Sequence, residues 1–334
     1  MTPLAKIVED FPRYRLAVLG DLMLDRYTWG RATRISQEAP VPVVLVEHEN
    51  CVPGGAANVA RNVLSLGAQA AAFGVVGADQ DGARLRQLLS DAGVDAARIL
   101  EERAVPTTVK TRVLAGSQQV VRIDREDPQT ITDAMRGEIL DRLSVLLKTQ
   151  RCSALIMEDY AKGLFTRQFM QSAVDLARLN GIFVALDPHP AHAFDLDGIR
   201  LMTPNRAEAF ALAGMPYERG IGDPVRDQPL MAVGRDLLRR WRCELLLITL
   251  GAEGMALFTP QLSVPVHIPT RAQRVFDVSG AGDTVMATMT MALAAGTSPR
   301  EAAEIANHAA GIVVGYVGTR AIESRELLEA LGAS

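Results

Sequence analysis

Paired cysteines, basic blocks and long apolar runs are all missing from this 334-residue chain. Its three cysteines, Cys51, Cys152 and Cys243, lie far apart and lack CxxC spacing. This argues against a disulfide framework or a zinc site and favours free thiols in a reducing compartment. A net charge of −4 without a run of Lys and Arg argues against a nucleic-acid or membrane-surface partner.

Segments that would direct the chain to a membrane are absent as well. The opening stretch MTPLAKIVEDFPRYR has no apolar centre of a signal peptide. Residues 285–295, the most apolar stretch, are too few and too rich in threonine to span a bilayer. We therefore expect a cytoplasmic protein. The pattern G-x-x-x-x-G-K-[ST] does not occur, which excludes a P-loop enzyme.

Apolar residues make up 48% of the chain, enough for one large α/β domain, which we expect to span residues 1–334. Continuous apolar runs predict strands at 15–19, 70–76, 154–157, 182–186, 199–202 and 245–250. Helices are predicted at 56–66, 82–92, 133–147, 283–295 and 299–316, and after residues 166 and 205. This alternation is typical of a mostly parallel sheet covered on both faces. Polar residues cluster at the strands' carboxyl ends, where such sheets bind ligands.

Two stretches break this alternation and predict a small separate sheet. Residues 27–51 contain a predicted strand at 41–47 but no helix, and residues 107–123 form a predicted hairpin with a turn at Gly116-Ser117. These three strands have few partners in the core. We expect a small sheet that stands apart from the main one, with an ordinary edge hairpin packed on its own domain as the alternative.

The most informative motif is Asp277-Val278-Ser279-Gly280-Ala281-Gly282-Asp283-Thr284, at the start of an apolar helix. Successive backbone N–H groups at a helix start form a positive concavity that suits an anion. A carboxylate beside that concavity is the arrangement that phosphoryl transfer to a hydroxyl requires. The alternative is a tight turn in which Asp283 caps the helix.

A second segment, PGGAANVARNVLSLGAQAAAFGVVG at 53–77, has a glycine pair followed by Asn58 and a helix of small residues. Together the two segments resemble the ribokinase-like (PfkB) carbohydrate kinases, whose amino- and carboxy-terminal signatures they match in spacing. The resemblance covers nearly the whole chain. It implies a three-layer α/β/α sandwich with a β-sheet lid, ATP and Mg²⁺ as cofactors, and in several members a homodimer through interlocked lids.

The resemblance implies that Asp283 is the general base and that the N–H groups of Gly280, Ala281 and Gly282 hold the γ-phosphoryl oxygens. Many members carry Thr-Thr where this chain has Val278-Ser279. Ser279 can still donate a hydrogen bond, whereas Val278 cannot, so any role of that first hydroxyl is in doubt.

The resemblance also implies nucleotide and metal contacts. Asn205 and Glu208 match the Asn-x-x-Glu motif that organises magnesium, although the same pattern is a helix capping box. Nucleotide contacts are expected from Thr249, Gly251 and Gly254 in a glycine-rich loop, and from Asn307. A satisfied amide on a helix face is the alternative for Asn307.

Sugar contacts are expected from Asp21, Asp25, Gly54, Gly55 and Asn58. Asp25 falls where the family has a sugar-binding aspartate, whereas Asp21 has a turn cap as its alternative. A basic lid in a slightly acidic protein indicates a sugar that already carries a phosphate, unless the cations merely form a solvated face. These cations are Lys110, Arg112, Arg122, Arg125 and Lys162.

Within the family, the segments GDLMLDRY, EDYAKG and DVSGAGDTV most resemble the bacterial D-glycero-D-manno-heptose 7-phosphate kinases. The resemblance implies phosphorylation at C1 for ADP-heptose and lipopolysaccharide synthesis. No HxGH motif occurs, so we expect a kinase without a nucleotidyltransferase domain. Alternatives are a kinase of fructose, ribose, tagatose phosphate or a nucleoside, a nicotinamide-dependent dehydrogenase, and a non-catalytic sugar sensor. The dehydrogenase fingerprint requires a third glycine, where this chain has Val285.

Overall fold

Helices and strands alternate along most of the chain, as the sequence predicts. The structure, a computed structural model, describes residues 2–116, 118–127, 131–149, 152–272 and 274–332, so Ser117 of the expected hairpin turn lies outside the described residues. The helices are α1 Pro3–Glu9, α2 Ala56–Ser65, α3 Gln80–Ala92, α4 Asp133–Thr149, α5 Arg167–Leu179, α6 Arg206–Ala213, α7 Gln228–Trp241, α8 Ala281–Ala294, α9 Pro299–Val313 and α10 Ser324–Ala330. The strands are β1 Arg15–Gly20, β2 Leu22–Ile35, β3 Pro42–Gly55, β4 Gln69–Phe73, β5 Val75–Gly77, β6 Leu100–Glu102, β7 Thr108–Ala115, β8 Gln118–Arg125, β9 Ala154–Glu158, β10 Phe183–Asp187, β11 Leu201–Met202, β12 Leu245–Thr249, β13 Met255–Phe258 and β14 Val266–Ile268.

The central sheet has eight of the described strands, in the order β14-β13-β12-β11-β10-β9-β1-β4. The strands from β12 to β4 are all parallel, and β13 and β14 are added antiparallel at one edge. The carboxyl ends of the parallel strands therefore meet along one edge of the sheet, where the polar residues of the sequence come together.

Helices cover both faces of this sheet. Along β1, the side chains of Leu16 and Val18 pack with α2, α8 and α9, while Ala17 and Leu19 point to the opposite face and pack with α4, α5 and α7. This alternation follows from the two-residue period of a strand. The predicted three-layer α/β/α sandwich is confirmed.

One predicted strand, at 70–76, is divided in two. β4 belongs to the central sheet, whereas β5 pairs with β6 in a separate two-stranded sheet. The break falls at Gly74, whose carbonyl accepts a hydrogen bond from the Leu100 N–H. Both halves are buried, and a continuous apolar run gives no sign of such a division.

The small sheet has four strands, in the order β3-β2-β7-β8, rather than the three that the sequence predicts. The missed strand is β2, which is buried over its first half and exposed over its last five residues. Its apolar pattern therefore changes midway and does not alternate cleanly. As a result Asp25 lies within a strand and not in a loop, and Gly54 and Gly55 end β3.

The helix that carries the main motif, α8, begins two residues earlier than predicted, at Ala281. Residues 283–293 of α8 are all buried, which explains its apolar composition. No helix in the described ranges is long and apolar enough to cross a bilayer.

Candidate active site

The first turn of α8 forms the centre of the candidate site. Gly280 is the N-cap with a φ of +77°, a left-handed conformation that glycine adopts without strain. The Ala281 N–H donates to the Val278 carbonyl at 3.2 Å, so one of the three expected donors is already used. Among the described residues, the N–H groups of Gly280 and Gly282 have no acceptor. They remain available to an anion at the positive end of the helix.

Asp283 is the third residue of α8 and is buried, with 5% of the residue exposed. Its Oδ2 accepts a hydrogen bond from Asn58 Nδ2 at 2.6 Å, and its Oδ1 accepts one from the Tyr160 hydroxyl at 2.5 Å. The alternative that Asp283 caps the helix is wrong, since the cap is Gly280 and the carboxylate contacts side chains. Burial raises the pKa of Asp283, and the bonds from Tyr160 and Asn58 oppose that rise.

The four-stranded sheet β3-β2-β7-β8, here called the lid, brings Asp25 on β2 to the same place. Its Oδ1 accepts from Arg112 Nη1 at 2.6 Å, and its Oδ2 accepts from Thr319 Oγ1 at 3.3 Å. Gly54 pairs with Met23 on the neighbouring strand, and a Cβ there would come within 2.5 Å of Asp25 Oδ2. The glycine thus leaves room for the Asp25 carboxylate against the backbone of β3.

Asp21 binds the main chain of the loop that follows β9. Its Oδ2 accepts from the N–H groups of Tyr160 at 2.8 Å and Lys162 at 3.1 Å. Burial raises the pKa of Asp21 to about 6, although these backbone bonds lower it. The turn-capping alternative therefore describes Asp21 as it stands, and its sugar contact stays a prediction.

The predicted cations share one neighbourhood but differ in their partners. Burial lowers the pKa of Lys110, the charge of Asp25 opposes that shift, and the charges of Lys162, Arg112 and Arg122 lower it further. Lys110 is half-buried, and within the described ranges no ion pair involves it. Each of the other four is already paired with a carboxylate: Arg112 with Asp25, Arg122 with Asp124, Lys162 with Glu126, and Arg125 with Asp79 and Asp81.

Two acidic residues lie near Asp283 at the carboxyl ends of strands, and a third, Glu208, lies in the first turn of α6. Asp187 and Glu158 are neighbours in the register of β10 and β9. Glu158 is fully buried, and in the described structure neither of its carboxyl oxygens has a hydrogen-bond partner. Burial and the charges of Asp187, Asp283 and Glu208 raise the pKa of Glu158 well above its ordinary value. Sequence analysis missed Glu158 and Asp187, although an acid at the end of an apolar strand was a usable signal.

Asn205 and Glu208 form a capping box at the start of α6. The Asn205 side chain accepts from the Glu208 N–H at 3.0 Å, and Glu208 Oε2 accepts from the Asn205 N–H at 2.8 Å. The capping box expected as the alternative is therefore formed, and it does not use Glu208 Oε1. Asn205 is also bridged to Thr249, which brings the expected metal and nucleotide motifs together.

The expected nucleotide loop is a 3₁₀ turn, Gly251–Glu253, directly after β12. Gly251 and Gly254 both have positive φ angles, +59° and +89°. Asn307 is buried on α9, and its Nδ2 donates to the Pro269 carbonyl at 2.6 Å. The satisfied-amide alternative describes Asn307 as it stands, and its adenine contact stays a prediction.

Relatives with sequence similarity cover most of this chain. It is 42% identical over 315 residues to the bifunctional protein HldE of Geobacter sulfurreducens, with 94% of this chain and 62% of that protein covered. It is 40% identical over 327 residues to the bifunctional protein HldE of Caulobacter vibrioides, with 97% and 65% covered. The chain thus spans less than two thirds of the length of these relatives.

Solved structures share the fold at low identity. A ribokinase of Arabidopsis thaliana complexed with ribose and ATP superposes with a TM-score of 0.71 at 21% identity, covering 96% of this chain and 99% of that one. The phosphofructokinase-2 of Escherichia coli in complex with fructose-6-phosphate gives a TM-score of 0.74 at 18% identity, covering 95% and 97%. The family model of pfkB carbohydrate kinases matches residues 14–325. The chain therefore belongs to the pfkB family of carbohydrate kinases.

Proposed function

We propose that residues 1–334 form one catalytic domain that phosphorylates the C1 hydroxyl of D-glycero-D-manno-heptose 7-phosphate with ATP, giving the 1,7-bisphosphate. The observation that carries the proposal is the Asp283 carboxylate, which is buried beside N–H donors that have no acceptor among the described residues and near Lys110 of the lid. The similarity to HldE proteins agrees with the resemblance of three segments to the heptose 7-phosphate kinases. Family membership removes the dehydrogenase alternative.

In the proposed reaction, Asp283 accepts the proton of the sugar hydroxyl as that oxygen attacks the γ-phosphorus of ATP. The new bond joins the sugar oxygen to phosphorus. The bond from phosphorus to the bridging oxygen breaks, and its electron pair leaves with ADP. The N–H groups of Gly280 and Gly282 stabilise the charge on the transferred group, because they lie at the positive end of α8.

The residues present fit a nucleotide with Mg²⁺. A Cβ at Gly282 would meet no atom within 4 Å, so the first turn of α8 is open to a phosphate group. No cluster of three or more metal-ligating side chains occurs in the described residues. That suits Mg²⁺, which uses one or two carboxylates and the substrate's phosphates. We assign Glu208 and Asn205 to the metal and its waters, and Thr249, Gly251, Gly254 and Asn307 to the nucleotide.

Lys110 is the cation that we assign to the phosphate of the sugar. It is half-buried beside three other cations and forms no ion pair in the described structure, although the charge of Asp25 acts on it. An anion would therefore relieve the mutual repulsion of these cations. Arg112 instead fixes Asp25, which we assign to the sugar hydroxyls together with Asn58, Gly54 and Gly55.

The test is a kinase assay across sugars, with ADP release as the signal and ³¹P NMR to identify the product. We expect turnover of heptose 7-phosphate, little turnover of the unphosphorylated heptose, and a signal for a phosphate at C1. Equal turnover of a neutral sugar would support the alternative of another PfkB sugar or nucleoside kinase.

The matched variants are Lys110→Ala and the control Lys6→Ala, whose side chain is exposed on α1. We expect Lys110→Ala to raise the KM for the phosphorylated sugar about tenfold or more while leaving the KM for ATP unchanged. Lys6→Ala has no effect on either KM. An unchanged KM in Lys110→Ala would remove Lys110 from the phosphate site.

We also propose a homodimer through the lid. β2 pairs with β7 only as far as Gly30, and residues 31–35 and 42–45 continue as a two-stranded ribbon, here called the lid ribbon. Ribbons of two strands are only marginally stable in water. Ile35, Leu45 and the adjoining Val46 are exposed on it. A second lid would cover these apolar side chains and support the ribbon.

A further inference from the structure

Tyr160 connects the base to the lid, although the sequence analysis gave it no role. Its hydroxyl donates to Asp283 Oδ1 at 2.5 Å. The Nζ of Lys110, on lid strand β7, lies 5.4 Å from the centre of its ring. The backbone N–H of Tyr160 donates to Asp21 at 2.8 Å. One side chain thus contacts the base, a lid cation and, through its main chain, a buried carboxylate.

We propose that Tyr160 is a positioning residue, which holds the Asp283 carboxylate in its reactive orientation and keeps it ionised. This inference rests on the proposed role of Asp283 as the base. Tyr160 does not exchange protons with the sugar. Because Tyr160 contacts both Lys110 and Asp283, an anion that binds Lys110 under the lid would change the surroundings of the Asp283 carboxylate.

The geometry leaves the base free to act. A carboxylate offers about four acceptor sites, two on each oxygen. Tyr160 uses one site on Oδ1, and Asn58 uses one on Oδ2. Each oxygen therefore retains a lone pair for the sugar hydroxyl, while the two donors prevent rotation of the group. Without a donor, a carboxylate this deeply buried would favour its neutral form, which cannot accept a proton.

The loop that carries Tyr160 is held firmly. Ala161 has a φ of +53°, which is uncommon for a residue with a side chain and costs free energy. Asp159 compensates by accepting from the Ala161 N–H at 2.9 Å and by pairing with His192 at 2.8 Å. Strain held in place by several bonds is typical of a segment with a positional task.

Several charged groups surround the Asp283 carboxyl and also influence its pKa, so they must stay the same when Tyr160 is replaced. They come from the lid, from α2 and from the strand ends. The charged and titratable groups are Asp25, Lys110, Arg61, Glu158, Asp187 and Tyr160 itself. Tyr160→Phe removes one hydroxyl and leaves the charges of all the others in place. A change in the titration of Asp283 is then assigned to the lost hydrogen bond.

The experiment titrates the Asp283 carboxyl by ¹³C NMR in the free protein, with the signal assigned by its loss in Asp283→Asn. Because the Tyr160 bond favours the ionised form, we expect Tyr160→Phe to raise the pKa of Asp283 by about one unit. The acid limb of kcat/KM moves to higher pH by the same amount. The control is Tyr14→Phe. Tyr14 lies before the amino end of β1, at the opposite edge of the sheet, so this variant leaves the pKa of Asp283 and the acid limb of kcat/KM unchanged.

A second variant carries 3-fluorotyrosine at position 160. The fluorine makes the hydroxyl a stronger donor, so the pKa of Asp283 falls instead of rising. Shifts of opposite sign in the two variants are not produced by a merely structural side chain. The same pKa in the wild type and both variants would overturn the positioning role. If the pKa shifts as expected and another sugar is phosphorylated but heptose 7-phosphate is not, the positioning role stands and the proposed substrate is wrong.

Discussion

At Asp283, burial and hydrogen bonding act on the pKa in opposite directions. Burial raises it, while the bonds from Tyr160 and Asn58 lower it. A general base works best when its pKa lies near the operating pH, because it is then ionised yet still basic. The environment of Asp283 therefore suits proton abstraction better than that of an exposed aspartate.

Asp283→Asn tests this assignment directly. The amide keeps the shape of the side chain but cannot accept the proton, so we expect turnover to fall by roughly a hundredfold or more. Nucleotide affinity, measured by calorimetry, stays nearly unchanged. The control is Asp133→Asn, an exposed acid in the first turn of α4. Turnover like that of the wild type in Asp283→Asn would refute the role as base.

Asp21 makes the stability of the fold depend on pH. Its pKa is about 6 in the fold against an ordinary value of 3.8, so the ionised form is disfavoured in the folded state. The stability that this group contributes is complete below pH about 4 and is lost as the pH rises through about 6. We expect the free energy of unfolding to lose about 3 kcal/mol from this group over that range.

The measurement compares urea unfolding of the wild type and Asp21→Asn between pH 4 and pH 7.5. Other titrating groups are common to both proteins, so the difference between the two curves isolates position 21. This difference should change in favour of the variant as the pH rises from about 4 to about 6, and should level off above that. Curves that stay parallel would show that Asp21 has an ordinary pKa.

Among the elements, the first turn of α8 is predicted to act through its main chain. Gly282 has room for a Cβ in the protein alone, so Gly282→Ala should fold normally and be slightly more stable. The methyl group would, however, occupy the place proposed for the γ-phosphate. We expect the KM for ATP to rise about tenfold or more, by kinase assay.

The control for this variant is Gly137→Ala on α4, where a Cβ also meets no atom within 4 Å. Both variants should keep or raise the melting temperature, measured by calorimetry. Only Gly282→Ala should raise the KM for ATP. Equal KM values for ATP in both would place the phosphate elsewhere.

At the level of the whole molecule, the lid ribbon predicts self-association. Leu45 is 65% exposed on the ribbon, so Leu45→Asp should leave the fold intact but place a charge in the proposed dimer contact. By sedimentation at micromolar concentration, we expect a dimer for the wild type and a monomer for the variant. Leu179→Asp, at a leucine that is 85% exposed on α5, should remain dimeric. A monomeric wild type, or a dimeric Leu45→Asp, would contradict the proposal.

The sequence by itself determined the three layers, most of their elements and the family. Continuous apolar strands alternating with helices admit few other folds, and the spacing around Gly280 and Asp283 is local in the chain. Such features can be predicted from the sequence because each depends on residues a few positions apart. The lid strand β2 could not be predicted in this way, since its environment changes from buried to exposed along its length.

Tertiary structure alone decided what surrounds Asp283. Asn58 and Tyr160 are 225 and 123 residues from Asp283 in the chain, yet both bind its carboxylate. It also decided that Arg112 binds Asp25 while Lys110 has no ion pair among the described residues. Parallel strands bring their carboxyl ends to one edge whatever their separation in sequence, and no local pattern records which side chains meet there.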